Sequence, residues 1–261
     1  MNDAPMNDAP RLSGLVICRD EIANIERCLG SLALCDEVVV VDSGSTDGTA
    51  EAARRYTSRV YVEPWRGYAG QKEFALALCR GRWVLWLDAD EALTPQLARS
   101  VEEAVAEGAA APAAAYSMIR RVHYLGRWIR FGAFGRDRVV RLFRRGQARF
   151  SDHAVHEGLI VDGPIGRLEG ILEHYSYRDL AHHRAKIDVM TSLWADDAWK
   201  RGRRAAAWDP FFRPLARWFR ILVLQGGFLD GWRGWVIAAM AARYVRSKYR
   251  KLRAKGTKGA R

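Results

Sequence analysis

The sequence has no long uncharged stretch. Its longest uncharged C-terminal runs, Ile221–Leu229 and Gly234–Ala242, hold nine residues each, and a membrane-spanning helix needs about 20. No candidate span is therefore present. Cysteine is scarce: Cys18, Cys28, Cys35 and Cys79 are the only four. They show neither C-x-x-C zinc spacing nor the density of a disulfide framework. Their apolar neighbours predict buried free thiols and a reducing compartment. A basic, then apolar, leader is also missing. Met1-Asn2-Asp3-Ala4-Pro5 repeats at once as Met6 to Pro10, polar throughout, which predicts a disordered tail over residues 1–10.

Acidic residues are scarce in one region only. The formal charge is +12 over 261 residues, and it is unevenly placed. Residues 178–261 carry 20 Lys+Arg against 6 Asp+Glu, a net of +14, while residues 1–177 carry 22 against 24, a net of −2. A strongly basic chain suggests a polyanionic partner. The uneven split counts against a uniformly basic nucleic-acid binder. With 49% hydrophobic and 28% charged residues, the chain is globular rather than disordered.

The first hundred residues alternate between two hydrophobic periods. Leu12–Cys18, Val38–Val41, Arg59–Val62 and Trp83–Leu87 read as strands. Glu21–Leu34, residues 46–56, Tyr68–Cys79 and the segment opened by Thr94-Pro95 read as helices, the last with a good capping residue and Pro at its first position. Strand–helix alternation with continuously apolar strands predicts an α/β fold with a parallel sheet covered on both faces. Residues 115–175 are turn-rich and strand-like, a mixed extension of that sheet. Residues 178–253 predict about three helical segments.

In such sheets ligands bind beyond the carboxyl ends of the strands, which directs attention to Arg19–Glu21, Asp42–Asp47 and Asp88–Glu91. Asp88-Ala89-Asp90-Glu91 sets three carboxylates where a buried strand emerges. Asp88 and Asp90 stand two apart, on one side if extended. Hard oxygen ligands of this kind suit Mg²⁺ or Mn²⁺, ions that also bind substrate phosphates. Asp42 stands where a base or ribose can be hydrogen-bonded. Gly44 permits close backbone approach, and Ser45 or Thr46 can cap the next helix and present amides to an anion.

Leu12–Glu21, Val38–Thr49 and Trp83–Glu91 resemble, in order and spacing, the three nucleotide-sugar elements of family 2 glycosyltransferases, which have the GT-A fold. Gly70–Leu76 and Cys79-Arg80-Gly81 resemble the helix that leads into the Asp-x-Asp strand, with Gln71-Lys72-Glu73 where Ala-Arg-Asn is commoner. Leu142-Phe143-Arg144, Val155–Gly158, Glu173–Tyr177 and Gly226–Gly231 resemble a subgroup that includes lipopolysaccharide core glucosyltransferases. The likeness covers about residues 11–252. It implies a GT-A Rossmann-like mixed sheet over 11–177, with a nucleotide-sugar half (11–110) and an acceptor half (111–177). A basic helical appendage over 178–261 follows.

The resemblance implies inverting transfer of a sugar, with a UDP-activated hexose as donor, to a hydroxyl of a lipid-linked saccharide such as the lipopolysaccharide inner core. A divalent metal then neutralises the departing diphosphate, and a general base takes the acceptor proton. By carry-over Asp90 is the direct metal ligand. Asp88 binds ribose or supports the metal through water. Asp42 and Glu21 line the nucleotide pocket, and Lys72 supplies a cation near the pyrophosphate. His174 is a second-rank metal ligand or diphosphate contact. Glu157 is the base, with Asp152 and Asp137 as competitors. Arg136, Arg138 and Arg141 form a basic cluster suited to phosphates or to a solvated face.

Asp209-Pro210 opens a helix on which Arg213, Arg217 and Arg220 share one face, opposite Phe211, Leu215, Trp218, Phe219 and Leu222. Arg243–Arg261 adds nine Lys+Arg and no acid. This fits peripheral attachment to an anionic membrane surface, on the cytoplasmic face, or a helix docked on the catalytic domain with exposed arginines. Two other activities compete. A polyprenyl-phosphate sugar synthase shares the nucleotide half. A nucleotidyltransferase would need a Gly-rich basic loop after Cys18, which is missing.

Overall fold

The computed structural model describes residues 10–106, 113–135, 137–151 and 159–258. These form two compact units. One comprises residues 10–106, 113–120, 138–151 and 159–174; the other comprises residues 121–135, 137 and 175–258.

The first unit is built on four parallel strands. β1 (Leu12–Cys18) pairs in parallel with β2 (Glu37–Asp42) on one side and β4 (Trp83–Asp88) on the other, and β2 continues to β3 (Val60–Val62). Every residue of β1 is buried, as an unbroken apolar run covered on both faces should be. Alternation sorts its side chains between two cores. Val16 joins Ile25, Leu29, Val40, Leu85 and Leu97 on one face. Leu15 and Ile17 join Val39, Val41, Ala75 and Trp86 on the other. The free thiols of Cys18, Cys28 and Cys79 are buried, as expected, while Cys35 is only partly so.

The connecting helices are α1 (Ile25–Gly30), α2 (Thr49–Ala53) and α3 (Gly67–Leu78). The first two are shorter than their patterns predict. Ile22 donates its amide to Asp47, and Asn24 and Ile25 donate to the Glu21 carbonyl, so the chain turns before α1 begins. Gly48 stands at φ +91 ahead of α2, a conformation only glycine adopts freely.

Beyond β4 the sheet is mixed. β8 (Asp137–Arg144) lies antiparallel to β4, and the order across the sheet is β3-β2-β1-β4-β8-β6-β11-β5. Here β5 is Glu91–Leu93, β6 is Ala115–Tyr124 and β11 is Ile165–His174. β9 (Ala148–Phe150) and β10 (Leu159–Val161) form a separate antiparallel pair. Helix α4 (Pro95–Ala106) lies on β11. Gly170 (φ +98) permits this, since a Cβ there would sit 2.5 Å from the Leu97 amide.

The second unit holds the end of β6 and its partner β7 (Arg127–Trp128), with α5 (Leu180–Lys200), α6 (Asp209–Phe219) and α7 (Trp232–Lys258). Three helical segments were expected here. Helix α7 packs against both α5 and α6. The Asp230 carboxylate accepts from the amides of Arg130 and Phe131. The predicted apolar face of α6 is only partly the exposed one. Phe211, Leu215 and Phe219 are exposed, but Leu222 is buried and Trp218 packs 5.7 Å from Trp235. Arg213 turns back to Asp209. Among the described residues no helix is long and apolar enough to cross a membrane.

Candidate active site

Strand register brings the two acidic strand ends together. Cys18 pairs with Asp42 across β1–β2, and Ile17 pairs with Asp88 across β1–β4. Asp42 and Asp88 thus flank the last residues of β1, at the carboxyl edge where open α/β sheets bind ligands.

The β2 exit is a tightly bonded corner. Asp42 is buried, and its Oδ2 accepts from the amides of Gly44 (3.0 Å) and Ser45 (2.8 Å). Its Oδ1 accepts from the Ser45 hydroxyl and the Cys18 thiol. These bonds fix the carboxylate against the turn that follows it. Beside the negative group, desolvation by burial and the Asp42 charge push the Cys18 thiol far above its ordinary value. Asp20, at φ +53, donates its amide to Ser45 Oγ (2.8 Å) and accepts from the Thr46 amide (2.9 Å). Glu21 donates its amide to Thr49 Oγ1 (2.9 Å), while its Oε2 accepts from Asn24 (2.8 Å). Asp47 is buttressed by Thr49 and Ile22; burial opposes its ionisation, but these bonds hold its carboxyl below the usual range. Sequence reasoning placed Asp20 only within the Arg19–Glu21 strand end and gave it no part of its own. A non-glycine residue at positive φ leaves no mark in a hydropathy pattern.

The β4 exit divides its carboxylates between two tasks. Glu91 is 1% exposed and accepts from Arg141 (2.6 Å) and Arg120 (3.1 Å), and its Oε2 accepts from the Asp88 amide (3.2 Å). Arg141, itself 3% exposed, also donates to Asp88 Oδ2 (2.7 Å). Burial opposes ionisation of Asp88, but Arg141 and then Lys72 outweigh it and hold the carboxyl below its ordinary value. This corrects the expectation for Arg141. It is neither a phosphate contact on a surface nor a solvated charge, but the buried counter-ion of Glu91 and Asp88. A hint was present in β8, where Arg141 interrupts the apolar run Val139-Val140-Arg141-Leu142-Phe143. Its Nε has no hydrogen-bond partner among the described residues. Arg138 donates to the Ser117 carbonyl.

Lys72 is 5% exposed, with Nζ 4.3 Å from the centroid of the Trp86 ring. Arg141 stands over the same ring at 3.8 Å. Desolvated cation–π contacts of this type contribute about 2 kcal/mol. Lys72 therefore belongs to the Asp88 neighbourhood by both its field and its position.

Asp90 Oδ2 lies 3.3 Å from His174 Nε2, both side chains 13% exposed. The ladder between β5 and β11 pairs His174 with Glu91 and so delivers the histidine to the end of β4 from 84 residues downstream in a 261-residue chain. An oxygen and a nitrogen donor converge there, with Asp88 on the same strand end. Such a set fits a Mg²⁺ or Mn²⁺ that takes one or two protein ligands and completes its shell from phosphate and water. Among the described residues no three ligating side chains form a closed metal cage. Glu157, its competitor Asp152, and Arg136 lie outside the described residues. The other competitor, Asp137, is the first residue of β8.

Comparison with known proteins follows the same lines. The sequence model described as glycosyl transferase family 2 matches residues 13–155. The lipopolysaccharide core biosynthesis glycosyltransferase LpsC of Rhizobium meliloti is 34% identical over 90% of this chain and 88% of its own length. An uncharacterized glycosyltransferase of Rickettsia typhi is 30% identical over 93% and 87%. In fold the chain resembles a mannosyltransferase of Pyrobaculum calidifontis solved with GDP-Man and Mn²⁺, with a TM-score of 0.55 at 18% identity over 94% of this chain and 88% of that one. The strand-end carboxylates thus stand in a GT-A-like fold, and the chain belongs to glycosyltransferase family 2.

Proposed function

We propose that the protein transfers a hexose, with inversion, from a UDP-activated donor to a hydroxyl of a lipid-linked saccharide of the lipopolysaccharide inner core type. The observation that carries this reading is the convergence of Asp90 and His174 at the end of β4, beside the Asp42 corner. The acceptor class rests on the 34% identity to LpsC over nearly the whole chain.

In this reading Asp42, with the Gly44–Ser45 turn it holds, and Glu21 receive the nucleoside. Asp88 contacts the ribose or a metal-bound water, and Lys72 faces the diphosphate. Asp90 and His174 hold Mg²⁺ or Mn²⁺, which when bound neutralises charge on the leaving diphosphate. Glu157 takes the proton of the attacking hydroxyl as the glycosidic bond forms on the face opposite the departing group. The neighbouring Arg141 keeps Asp88 ionised without competing for the sugar, because it is buried.

The basic second unit attaches the enzyme to the cytoplasmic face of an anionic membrane. Its +14 segment and the exposed Phe211, Phe212, Leu215 and Leu224 support this, since each basic residue near an anionic leaflet contributes about 1 kcal/mol.

The test is a panel of nucleotide sugars with Mn²⁺, scored for binding and slow donor hydrolysis. Saturable, metal-dependent binding of a UDP-hexose is the expected result. A folded protein that binds none of the panel would overturn the reading.

A further inference from the structure

Within the second unit, helices α5, α6 and α7, with Phe134 and Tyr177, line an open cavity of about 470 Å³. This lies within the range of small-ligand sites. Its lining is of two kinds. Met190, Ile237, Met240 and Ala241 give it an apolar wall, while Lys186, Arg217 and Lys248 bring three cations to the same space.

Among the described residues of this helical segment, no acidic side chain pairs with these three cations. Residues 178–261 contain six acidic side chains, and each is engaged elsewhere. Asp179 accepts from the His182 amide at the start of α5, and Asp230 accepts from Arg130 and Phe131. Asp188 faces Lys251, Asp196 pairs with Lys255, Asp197 with Arg201 and Asp209 with Arg213. Lys248 instead lies over the Trp194 ring at 4.4 Å, and Lys186 over Tyr177 at 5.5 Å. Burial, followed by the field of Arg217, Arg213 and Arg203, lowers the Lys248 pKa. Burial and Arg220 lower that of Arg217. Half-buried like charges beside an apolar wall are unfavourable alone, and they complement an anion that carries hydrocarbon.

We propose that this cavity binds one molecule of an anionic phospholipid. Its phosphate lies among Lys186, Arg217 and Lys248, and one acyl chain runs along Met190, Ile237 and Met240. Apolar chain and anionic head are both required: inorganic phosphate leaves the wall uncovered, and a zwitterionic lipid adds a cation to a site that already holds three. Its test needs no transfer reaction.

The full-length protein is titrated calorimetrically with dihexanoyl-phosphatidylglycerol below its micelle concentration, with dihexanoyl-phosphatidylcholine, and with inorganic phosphate. One-to-one binding of the phosphatidylglycerol, at least about tenfold tighter than either control, is expected. The double variant Arg217→Gln/Lys248→Gln should weaken it about tenfold or more, with an unchanged or raised melting temperature before lipid is added. Ala241→Phe keeps every charge but fills the cavity, and should weaken the same binding. Should that variant fail to fold, the double variant decides. Absence of binding by the wild type, equal affinity for phosphate or phosphatidylcholine, or unchanged affinity in the folded variants would each overturn the proposal.

Discussion

Asp90 and His174 meet, Oδ2 to Nε2 at 3.3 Å, because β11 runs antiparallel to β5 in a register that sets His174 opposite Glu91. One residue of slip in that ladder would turn the imidazole to the other face of the sheet. The metal site proposed above is therefore a property of strand pairing as much as of the Asp-x-Asp sequence.

Removing either donor should weaken the metal rather than the fold. His174→Ala and Asp90→Asn are expected to raise the Mn²⁺ concentration for half-maximal activity about 10–100-fold, with melting temperatures near the wild type. Titration of Mn²⁺ against donor hydrolysis measures this. Unchanged half-saturation in both variants would remove the pair from metal binding.

Glu157→Gln is expected to retain donor binding and lose most turnover, since it removes the proposed proton acceptor. Donor titration and initial rates on one preparation separate the two effects. Near-normal turnover would reassign the base.

Arg141 serves the opposite purpose, and its loss should be structural. Arg141→Met leaves Glu91 buried and poorly compensated, which costs about 3–5 kcal/mol. Adding Glu91→Gln should restore part of that stability. Urea denaturation of the single and double variants gives both values, and a single variant as stable as the wild type would contradict the burial argument.

At the β2 exit, Asp42→Ala removes the acceptor for two amides, a hydroxyl and a thiol. A destabilisation of about 1–3 kcal/mol is expected, together with weaker donor binding. Asp42→Asn should lie between the two proteins. Equal stability of all three, by urea denaturation, would show that the turn does not depend on the carboxylate.

His183 adds its own pH dependence to stability. It is 5% exposed and shares a 2.8 Å hydrogen bond with the Tyr124 hydroxyl. Burial, then Lys186 and His182, lower its pKa to about 4, against about 6.5 in an unfolded chain. Above about pH 6.5 both states are neutral there and stability is complete. As pH falls toward 4 the unfolded chain takes the proton first, so stability declines. Below 4 the native state binds it too, and the decline ends. Denaturation at pH 7, 5.5 and 4.5 should show that His183→Gln loses less stability across this window than the wild type. Parallel losses would contradict a neutral buried imidazole.

Much of the first unit was legible because apolar periodicity is a local signal. Four strands and the cap at Thr94 follow from it, as do the acidic ends of β2 and β4. Helix α1 starts later than predicted because Asp47 of the neighbouring corner takes the Ile22 amide, and α2 because Gly48 stands at φ +91 ahead of it. The antiparallel strands beyond β4 were harder to place, since mixed pairing depends on partners far apart in sequence.

The sequence alone determined which residue types stand at the strand ends, the parallel core that puts them there, and the concentration of positive charge after residue 177. Only the tertiary structure decided which partner each carboxylate meets. Hydropathy and spacing alone do not say what each of Asp88, Asp90 and Glu91 will touch. Folding buries Glu91 against Arg141 and Arg120, ties Asp88 to Arg141, and sets Asp90 beside His174. The reason is physical: charge pairing acts across a few ångströms in space, and the partners here lie on strands that the sheet, not the sequence order, makes neighbours.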